Sequence, residues 1–242
     1  MSESWLTGTV IENRPWTDTL FSLRVQGAAL SFQAGQFVRI ALDIDGQRVA
    51  RAFSFVNPPH DPVLEFYGVI VPEGPLSPRL AKLNAGDALY VAHNPAGFLV
   101  LSEVPDAETL WLVSTGTGLA PFVSILRTET PWRRFRNVVV VHAARYAREL
   151  TYRDVIGQTK ARYVSFVSRE NAAGSLAGRI PAAIADGRLE RAAGLRLAPE
   201  AAHVMLCGNP QMLRDATAAL VARGMRKHRR RTPGHITVES FW

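Results

Sequence analysis

The sequence is poor in cysteine and has no long hydrophobic run. Cys207 is the single cysteine among 242 residues, which excludes an internal disulfide framework, a four-cysteine zinc site and a protein-held iron–sulfur cluster. No metal site is predicted, and a reducing, cytoplasmic compartment is favoured. No apolar run reaches the roughly 18 residues of a membrane-spanning helix, and the first residues lack the basic and apolar segments of a secretory signal. We therefore expect neither a membrane span nor a secreted protein.

The composition is that of a globular protein with an excess of positive charge. Apolar residues make up 47% of the chain, which is enough to bury a sizeable core in one or two domains. The formal net charge of +7 favours an acidic partner, such as nucleic acid, an anionic membrane, a phosphorylated ligand or an acidic protein. The densest basic run is "RKHRRR", residues 226–231. Because no aromatic stacking positions interleave with this run, we interpret it as a solvated surface tract and predict no nucleic-acid partner.

The first hundred residues show the pattern of short antiparallel strands. Apolar and polar residues alternate in six segments that are separated by turn residues such as "IDG", "NPPHDP" and "PEGP". The segments are "WLTGTVIENR", "LFSLRVQG", "QFVRIALDID", "RVARAFSFVN", "VLEFYGVIV" and "DALYVAHN". Short, regularly spaced strands of this kind predict a small antiparallel barrel over residues 1–104.

The pattern changes after Val104. Four nearly continuous apolar runs, "TLWLVS", "NVVVVHA", "YVSFVS" and "HVMLCG", are typical of strands that are buried on both faces. Helical segments alternate with them, namely "PFVSILRTE", "ELTYRDVIGQ", "IPAAIADGRLE" and "PQMLRDATAALVARG". This alternation predicts a doubly wound parallel sheet over residues 105–242. The predicted fold class is therefore β plus α/β, with a six-stranded antiparallel barrel followed by a parallel-sheet domain.

A glycine-rich turn follows the first of these apolar strands. The string "STGTGLAP", Ser114–Pro121, contains Gly116 and Gly118 and leads into a helix. Backbone amides at such a turn can approach a phosphate closely, and a helix N-terminus favours negative charge. A plain strand-to-helix turn would also explain the string, so this motif alone does not decide for nucleotide binding.

The next strand ends favour NADP over NAD. In an NAD site an acidic residue near the end of the second strand binds the ribose 2′-hydroxyl, whereas here that strand ends in Arg145 with no carboxylate at that edge. The third strand ends at Ser168 and Arg169, and Arg179 follows in "GSLAGRI". Planar guanidinium groups suit the oxygens of a 2′-phosphate. Each arginine by itself could equally be a surface residue.

Two further segments place polar residues where a buried strand would not need them. "RVARAFSFVNPP" has Arg51 and Ser54 among apolar residues of a strand. "MLCGNPQML" places Cys207 at the carboxyl end of a parallel strand, where open α/β sheets bind ligands. Cys207 could also be a small buried apolar residue.

Together, "RAFS", "LEFYG", "LSPRL", "GTGLAP", "HAAR", "SRE", "CGNPQM" and the terminal "VESFW" resemble the bacterial ferredoxin–NADP⁺ reductases, also called flavodoxin/ferredoxin reductases. The resemblance covers essentially the whole chain and is strongest to the enterobacterial-type subgroup that ends in tryptophan. It implies an FAD-binding barrel at residues 1–104 and an NADP-binding domain at residues 105–242, with an aromatic tail that returns to the FAD.

The resemblance also implies a set of flavin-binding residues. Arg51 would bind the FAD pyrophosphate, and Ser54 would hydrogen-bond near the flavin N5. In "LSPRL", Ser77 is expected as the N-cap and Pro78 as the first residue of a helix whose N-terminus faces the second pyrophosphate charge. Phe53 stands where the family usually has tyrosine, so one hydroxyl contact is lost and FAD retention is expected to be somewhat weaker. The full implied FAD set is Arg51, Ala52, Phe53, Ser54, Phe66, Tyr67, Val69, Leu76, Ser77, Thr117, Phe241 and Trp242.

The implied NADP set and the catalytic residues come from the second half. Ser54, Cys207 and Glu239 are expected to be catalytic, with Cys207 against the nicotinamide and Glu239 orienting it or relaying a proton. Phe241 and Trp242 are expected to shield the flavin and its adenine. The NADP-binding residues are Gly116, Gly118, Arg145, Ser168, Arg169, Arg179, Gly208 and Asn209.

The implied activity is electron exchange between NADPH, which delivers a hydride, and a one-electron carrier, an acidic ferredoxin or flavodoxin. We expect a cytoplasmic monomer that interacts with neither membrane nor nucleic acid. An oxygenase-type reductase component or a free-flavin reductase on the same fold is an alternative, although the first often carries a cysteine-held cluster and the second releases its flavin. A non-catalytic nucleic-acid-binding protein is the alternative from another class, and a yellow protein would exclude it.

Overall fold

The structure is a computed structural model that describes residues 4–240. Two compact units are present. The first unit consists of the chain up to Val100 together with Ala120–Arg127, and the second consists of Leu101–Leu119 and the chain from Thr128 onward. A short helical segment of the second half of the chain therefore groups with the first unit.

The first unit is built on an antiparallel sheet of six strands in the order β4-β3-β6-β1-β2-β5. The edge strands β4 and β5 meet through a bridge between Phe55 and Phe66, and the Val56 N–H donates to the Glu65 carbonyl at 2.8 Å. This contact joins the two edges of the sheet into a barrel. The strands are β1 (Trp5–Pro15), β2 (Leu20–Gln26), β3 (Phe37–Ile44), β4 (Gln47–Ser54), β5 (Leu64–Val69) and β6 (Ala88–Ala92).

Alternating side chains of these strands fill the barrel core. Leu23, Ile40 and Leu89 of the strands are fully buried, and so is Phe55, which directly follows β4. A short helix, α1 (Ser77–Leu80), adds Leu80 to this core. The burial of these apolar side chains is the main source of stability in the unit.

Helix α2 (Ala120–Leu126) belongs to the first unit through specific polar contacts. The Ser124 hydroxyl donates to the Asn57 carbonyl at 2.7 Å, and Arg127 forms an ion pair with Glu65 at 2.7 Å. Arg127 also donates to the Val56 carbonyl at 3.3 Å. The contacts hold the helix against the segment that follows β4.

The second unit contains a sheet of six parallel strands in the order β10-β9-β8-β7-β11-β12. The strands are β7 (Thr109–Thr115), β8 (Asn137–Ala144), β9 (Arg162–Val167), β10 (Leu176–Ala177), β11 (Ala202–Gly208) and β12 (Ile236–Ser240). The helices are α3 (Thr130–Arg134), α4 (Arg153–Gly157), α5 (Ile180–Ala185), α6 (Arg188–Ala193) and α7 (Pro210–Ala222). Every residue of β11 is buried, which explains why its sequence is apolar apart from His203. The architecture of the two units confirms the predicted fold class.

Several elements differ from the sequence expectation. The segment "IPAAIADGRLE" forms two helices rather than one, because Gly187 adopts a left-handed φ of 76° between α5 and α6. In "ELTYRDVIGQ" only Arg153–Gly157 is α-helical, and Tyr152 before it has a φ of 55°. The short strands β10 and β12 and helix α3 were not predicted. Short elements of this length carry too few residues to show a period.

Neither a membrane-spanning helix nor a cluster of metal-binding side chains is found within residues 4–240. None of the helices described there combines the length and the apolar character needed to cross a membrane. The same part of the chain contains no group of three or more His, Cys, Asp or Glu side chains that could hold a metal ion.

Candidate functional site

Strand β4 carries four adjacent residues with very different exposure. Arg51 and Ala52 are exposed, Phe53 is half-buried and Ser54 is buried, with 5% of its surface accessible. The Ser54 hydroxyl has no hydrogen-bond partner among residues 4–240. A buried hydroxyl without a partner is unfavourable by about 1–3 kcal/mol, so a hydrogen-bonding ligand atom would relieve a real cost here.

Strand β5 meets β4 at the aromatic residues. The Phe53 and Phe66 rings lie edge to face with centroids 6.4 Å apart, and Phe66 and Tyr67 are buried. Gly68 makes this arrangement possible, because a Cβ at that position would lie 2.7 Å from Phe21 Cζ and 3.0 Å from Phe53 Cε1. The sequence analysis did not single out Gly68, although a glycine within a strand is a signal of close approach.

The segment "LSPRL" forms the helix that was expected, but not its cap. Ser77 is the first residue of α1 rather than its N-cap, and its hydroxyl accepts the Val71 N–H at 2.9 Å. The predicted capping role of Ser77 is therefore wrong, because an upstream backbone amide takes the hydroxyl. The Leu76 side chain is buried in the barrel core, with 1% accessible, so in this structure its side chain serves packing.

The glycine-rich turn of the second unit starts as a 3-10 helix over Gly116–Leu119. Gly116 has a left-handed φ of 52°. A Cβ on Gly118 would lie 2.6 Å from the Cys207 carbonyl oxygen, so only glycine lets this turn pack against the end of β11. Thr117, the residue between Gly116 and Gly118, is half-buried.

The end of β11 interlocks with the end of β7. Gly208 has a φ of 134°, and a Cβ there would lie 2.2 Å from the Thr115 hydroxyl oxygen. That hydroxyl accepts the Asn209 N–H at 2.9 Å. The Asn209 side-chain oxygen accepts the N–H groups of Gln211 and Met212, so it caps α7. Thr115 and the capping role of Asn209 were missed by the sequence analysis, although Asn before Pro is a recognisable cap signal.

Cys207 and Glu239 are neighbours in the sheet. Cys207 is paired with Ser114 of β7 on one side and with Glu239 of β12 on the other. Burial and then the charge of Glu239 raise the pKa of the Cys207 thiol well above its usual value. The thiol therefore stays protonated, which suits an apolar contact surface and not a nucleophile.

His142 lies in the same row of the sheet, beside Ser114 and Ser165. It is fully buried, and burial lowers its pKa to about 4, opposed by interaction with the Gly116 backbone. The Tyr163 hydroxyl lies 3.4 Å from His142 Nδ1, and burial raises the pKa of Tyr163 to about 12. A neutral imidazole thus sits beside the glycine-rich turn, a feature that the sequence analysis did not anticipate.

The arginines at the ends of the strands are exposed and close in the backbone. The Arg169 N–H donates to the Arg145 carbonyl at 2.9 Å, and the Ser168 N–H donates to the Ala144 carbonyl at 3.2 Å. Arg179 directly precedes α5. The N–H of the preceding residue, Gly178, donates to the Val167 carbonyl at 3.2 Å, so this segment is tied to the end of β9. None of the guanidinium groups of Arg145, Arg169 and Arg179 forms an ion pair within residues 4–240.

The expectation that no carboxylate stands at this edge is wrong. Glu149 accepts the Arg145 N–H at 2.9 Å and the Tyr146 N–H at 3.2 Å, and Glu170 accepts the Ala147 N–H at 2.5 Å. Both glutamates were missed because they follow the strand ends by several residues in a turn whose path the sequence does not reveal. The predicted residues Phe241 and Trp242 lie outside the described part of the chain.

Comparisons with known proteins identify the family. The family of oxidoreductase NAD-binding domains matches residues 112–218. The chain is 54% identical to the flavodoxin/ferredoxin–NADP reductase of Shigella flexneri, over 98% of this chain and 99% of that protein. It is 53% identical to the enzyme of the same name from Escherichia coli K12, again over 98% and 99%. The chain belongs to the flavodoxin/ferredoxin–NADP reductase family.

A solved structure supports membership of the flavodoxin/ferredoxin–NADP reductase family. The ferredoxin NADP⁺ reductase from Neisseria gonorrhoeae, described with bound FAD and NADP, covers 100% of both chains with a TM-score of 0.95 and 30% identity. In the present chain, the first unit contains the buried Ser54 hydroxyl, which has no hydrogen-bond partner within residues 4–240, on the same strand as the exposed Arg51. The other offers guanidinium groups that lack an anion within residues 4–240. These donors fit ligands that carry phosphates and a ring with hydrogen-bonding atoms.

Proposed function

We propose that this chain is an FAD-dependent oxidoreductase that exchanges electrons between NADPH and ferredoxin or flavodoxin. The relatives from Shigella flexneri and Escherichia coli carry that activity in their names, and the Neisseria structure was described with FAD and NADP. The observation that carries the proposal is the buried Ser54 hydroxyl, which has no hydrogen-bond partner within residues 4–240. The exposed arginines Arg145, Arg169 and Arg179, which form no ion pair within those residues, add donors for a phosphate.

The barrel residues are proposed to hold the flavin. Arg51 supplies a planar fork of donors for the pyrophosphate: one guanidinium nitrogen donates to the Ala50 carbonyl at 2.7 Å, and the remaining donors of this exposed residue are left for a phosphate. Ser54 can donate or accept a hydrogen bond at the flavin N5, whichever the oxidation state requires. Bound FAD supplies the step between two-electron and one-electron chemistry, which no side chain can perform. The other FAD-binding residues of the barrel are proposed to be Ala52, Phe53, Phe66, Tyr67, Val69, Leu76 and Ser77.

The second unit is proposed to bind NADPH. The turn with Gly116 and Gly118 packs against the end of β11 at Gly208 and Asn209, so that two strand ends meet at one edge of the sheet. Cys207, kept protonated by burial, offers a small apolar surface to the nicotinamide. Glu239 beside it is proposed to orient the ring or relay a proton. The 2′-phosphate is assigned to Arg145, Ser168, Arg169 and Arg179.

The partner is proposed to be acidic, and the protein a cytoplasmic monomer. The formal net charge of +7 supports an acidic ferredoxin or flavodoxin, since opposite net charges steer association. Carrier reduction should therefore slow as ionic strength rises, while reduction of a neutral small acceptor should not. Equal salt dependence of the two reactions would contradict electrostatic docking.

The proposed function is tested by cofactor and substrate analysis of the purified protein. Acid precipitation should release all yellow colour as FAD, and NADPH oxidation with ferredoxin or flavodoxin should greatly exceed NADH oxidation. Loss of the flavin on gel filtration, with activity restored by free flavin, would favour a free-flavin reductase. A purified protein that is colourless and does not oxidise NADPH would contradict the proposal.

A further inference from the structure

The edge of the sheet that carries Arg145 and Arg169 contains two carboxylates that form no ion pair with them. Glu149 and Glu170 both lie within hydrogen-bond distance of the backbone that follows β8. A carboxylate usually pairs with a neighbouring guanidinium, because the fork of donors matches its two oxygens. Here Glu149 and Glu170 accept backbone N–H groups, and the guanidinium donors of Arg145 and Arg169 are not engaged by either carboxylate.

The backbone turn after β8 is held by these carboxylates. Glu149 accepts from Arg145 and Tyr146, at 2.9 and 3.2 Å, and belongs to the same turn. Glu170 accepts from Ala147 at 2.5 Å and belongs to the segment after β9. Glu170 therefore ties two strand ends together, one through its own backbone and the other through its side chain.

This tie adds to the backbone ladder beyond the strands. Ser168 and Arg169 donate to the carbonyls of Ala144 and Arg145, and the Ser168 hydroxyl also donates to Ala144 at 3.3 Å. The exposed side chains of Arg145 and Arg169 thus start from backbone positions that are joined by a hydrogen bond. The bond from the Arg169 N–H fixes the Arg145 carbonyl, and the Glu170 bond fixes the turn that follows Arg145 at Ala147. Without the Glu170 bond this turn could move and carry the Arg145 side chain with it.

We propose that Glu170 is a positioning residue for NADPH selectivity, because its bond to the Ala147 N–H holds Arg145 beside Arg169 where both can contact a 2′-phosphate. This inference rests on the proposed function and deepens it. The same bond engages one oxygen of the Glu170 carboxylate with the backbone, and Glu170 forms no ion pair with Arg145 or Arg169, so it does not draw either guanidinium away from the phosphate. A residue type that elsewhere marks an NAD site here supports an NADP site.

The test compares two substitutions of Glu170 with a matched control in the holoenzyme. Glu170→Ala removes the acceptor, Glu170→Gln keeps an acceptor oxygen without the charge, and Glu200→Ala removes an exposed glutamate that forms no hydrogen bond or ion pair within residues 4–240. The measurements are KM for NADPH and NADH with a small acceptor, and binding of adenosine 2′,5′-bisphosphate and of adenosine 5′-monophosphate by calorimetry.

Glu170→Ala should raise KM for NADPH about 5- to 10-fold, the effect of one lost hydrogen bond, and weaken the bisphosphate to a similar extent. KM for NADH, kcat and binding of the monophosphate should stay within about twofold. Glu170→Gln and Glu200→Ala should behave like the wild type. This pattern would support the positioning role, because a general loss of folding would affect both nucleotides.

Three results would overturn the inference. Equal loss for NADPH and NADH would mean that Glu170 supports the fold in general. Tighter bisphosphate binding in both Glu170 variants would mean that its charge merely repels phosphate. Unchanged binding in Glu170→Ala would mean that the turn holds without it. Failure of the proposed function is distinct, because the wild type itself would then neither bind the bisphosphate nor oxidise NADPH.

Discussion

The two units present their candidate site residues in different ways. In the barrel, Arg51 to Ser54 follow one another along the single strand β4, and burial increases along it from the exposed Arg51 and Ala52 to the buried Ser54. In the parallel sheet the candidates stand at the ends of β7, β8, β9 and β11, on segments that are far apart in sequence.

This difference determines what supports each set of residues. The barrel strand is supported by apolar packing, in which Phe53 and Phe66 meet because Gly68 leaves room for the ring. The sheet edge is supported by polar and backbone contacts, such as Thr115 with Asn209 and Glu170 with Ala147. We expect side-chain changes to disturb the barrel locally, whereas changes in the turns of the sheet should disturb several candidates at once.

The largest expected effect separates the two units by their ligands. Replacing Arg145 and Arg169 together by alanine should raise KM for NADPH about 100-fold or more, because each charge-assisted hydrogen bond contributes roughly 1.5–3 kcal/mol. KM for NADH should change less than about twofold, and the absorbance of the bound flavin should not change. Arg196→Ala, an exposed arginine of the same unit, is the control and should leave both constants unaltered. Equal effects on NADPH and NADH would show that these arginines do not contact the 2′-phosphate.

The next effect tests whether the sheet edge depends on its turns. Gly208→Ala should lower the free energy of unfolding by about 3 kcal/mol, because the alanine is strained at a φ of 134° and its Cβ meets the Thr115 hydroxyl. Gly157→Ala is the matched control, since that helical glycine has open space around it and alanine should stabilise by about 0.5–1 kcal/mol. Urea unfolding followed by the fluorescence of the five tryptophans, among which Trp111 is fully buried in the second unit, measures both. A harmless Gly208→Ala would mean that the turns can rearrange freely.

Acid should destabilise the second unit before the first. The pKa of His142 is about 4 and that of His203 about 3 in the folded state, both lowered mainly by burial, whereas the barrel histidines His60 and His93 are exposed. As pH falls below about 6.5, these two histidines bind protons in the unfolded chain, where the histidine pKa is about 6.5, but stay neutral in the folded protein until the pH is much lower. Stability is therefore complete above that pH, and each buried histidine should cost about 2 kcal/mol between pH 7 and pH 5.

The urea midpoint of the second unit at pH 7 and at pH 5 measures this loss. His142→Gln should reduce the pH-dependent loss by about 2 kcal/mol whatever it does to stability at pH 7, and His93→Gln should leave the loss unchanged. An identical pH dependence in wild type and His142→Gln would show that the imidazole is protonated in the folded protein.

The smallest effect concerns the barrel strand. Ser54→Ala should stabilise the protein stripped of flavin by about 1 kcal/mol, because the buried hydroxyl has no partner within residues 4–240. The same change should weaken flavin binding or slow NADPH oxidation about tenfold. Ser22→Ala is the control, since the Ser22 hydroxyl accepts the Trp16 indole N–H at 2.7 Å and its loss should destabilise. Thermal melts of the apoprotein compare the two, and destabilisation by Ser54→Ala would contradict an unsatisfied hydroxyl.

The class of each unit and the strands other than β10 and β12 could be predicted from the sequence alone. Alternation in the first half and continuous apolar runs in the second half reflect burial of one face or of both, and burial is a property that composition records directly. The motif residues were visible for the same reason, since Arg51, Ser54 and the glycines of "GTGLAP" are types that a purely structural strand or turn does not need.

Which side chains contact one another could not be predicted without the three-dimensional structure. Glu239 became a neighbour of Cys207 because β12 adds to the sheet beside β11, and a five-residue strand at the edge shows no period in the sequence. The Ser77 hydroxyl accepts the Val71 N–H and does not cap its helix. The Glu170 carboxylate accepts the N–H of Ala147, which lies in the neighbouring turn after β8. A side-chain hydrogen bond depends on distances of a few tenths of an ångström between segments remote in sequence, and local residue preferences carry no information about such distances.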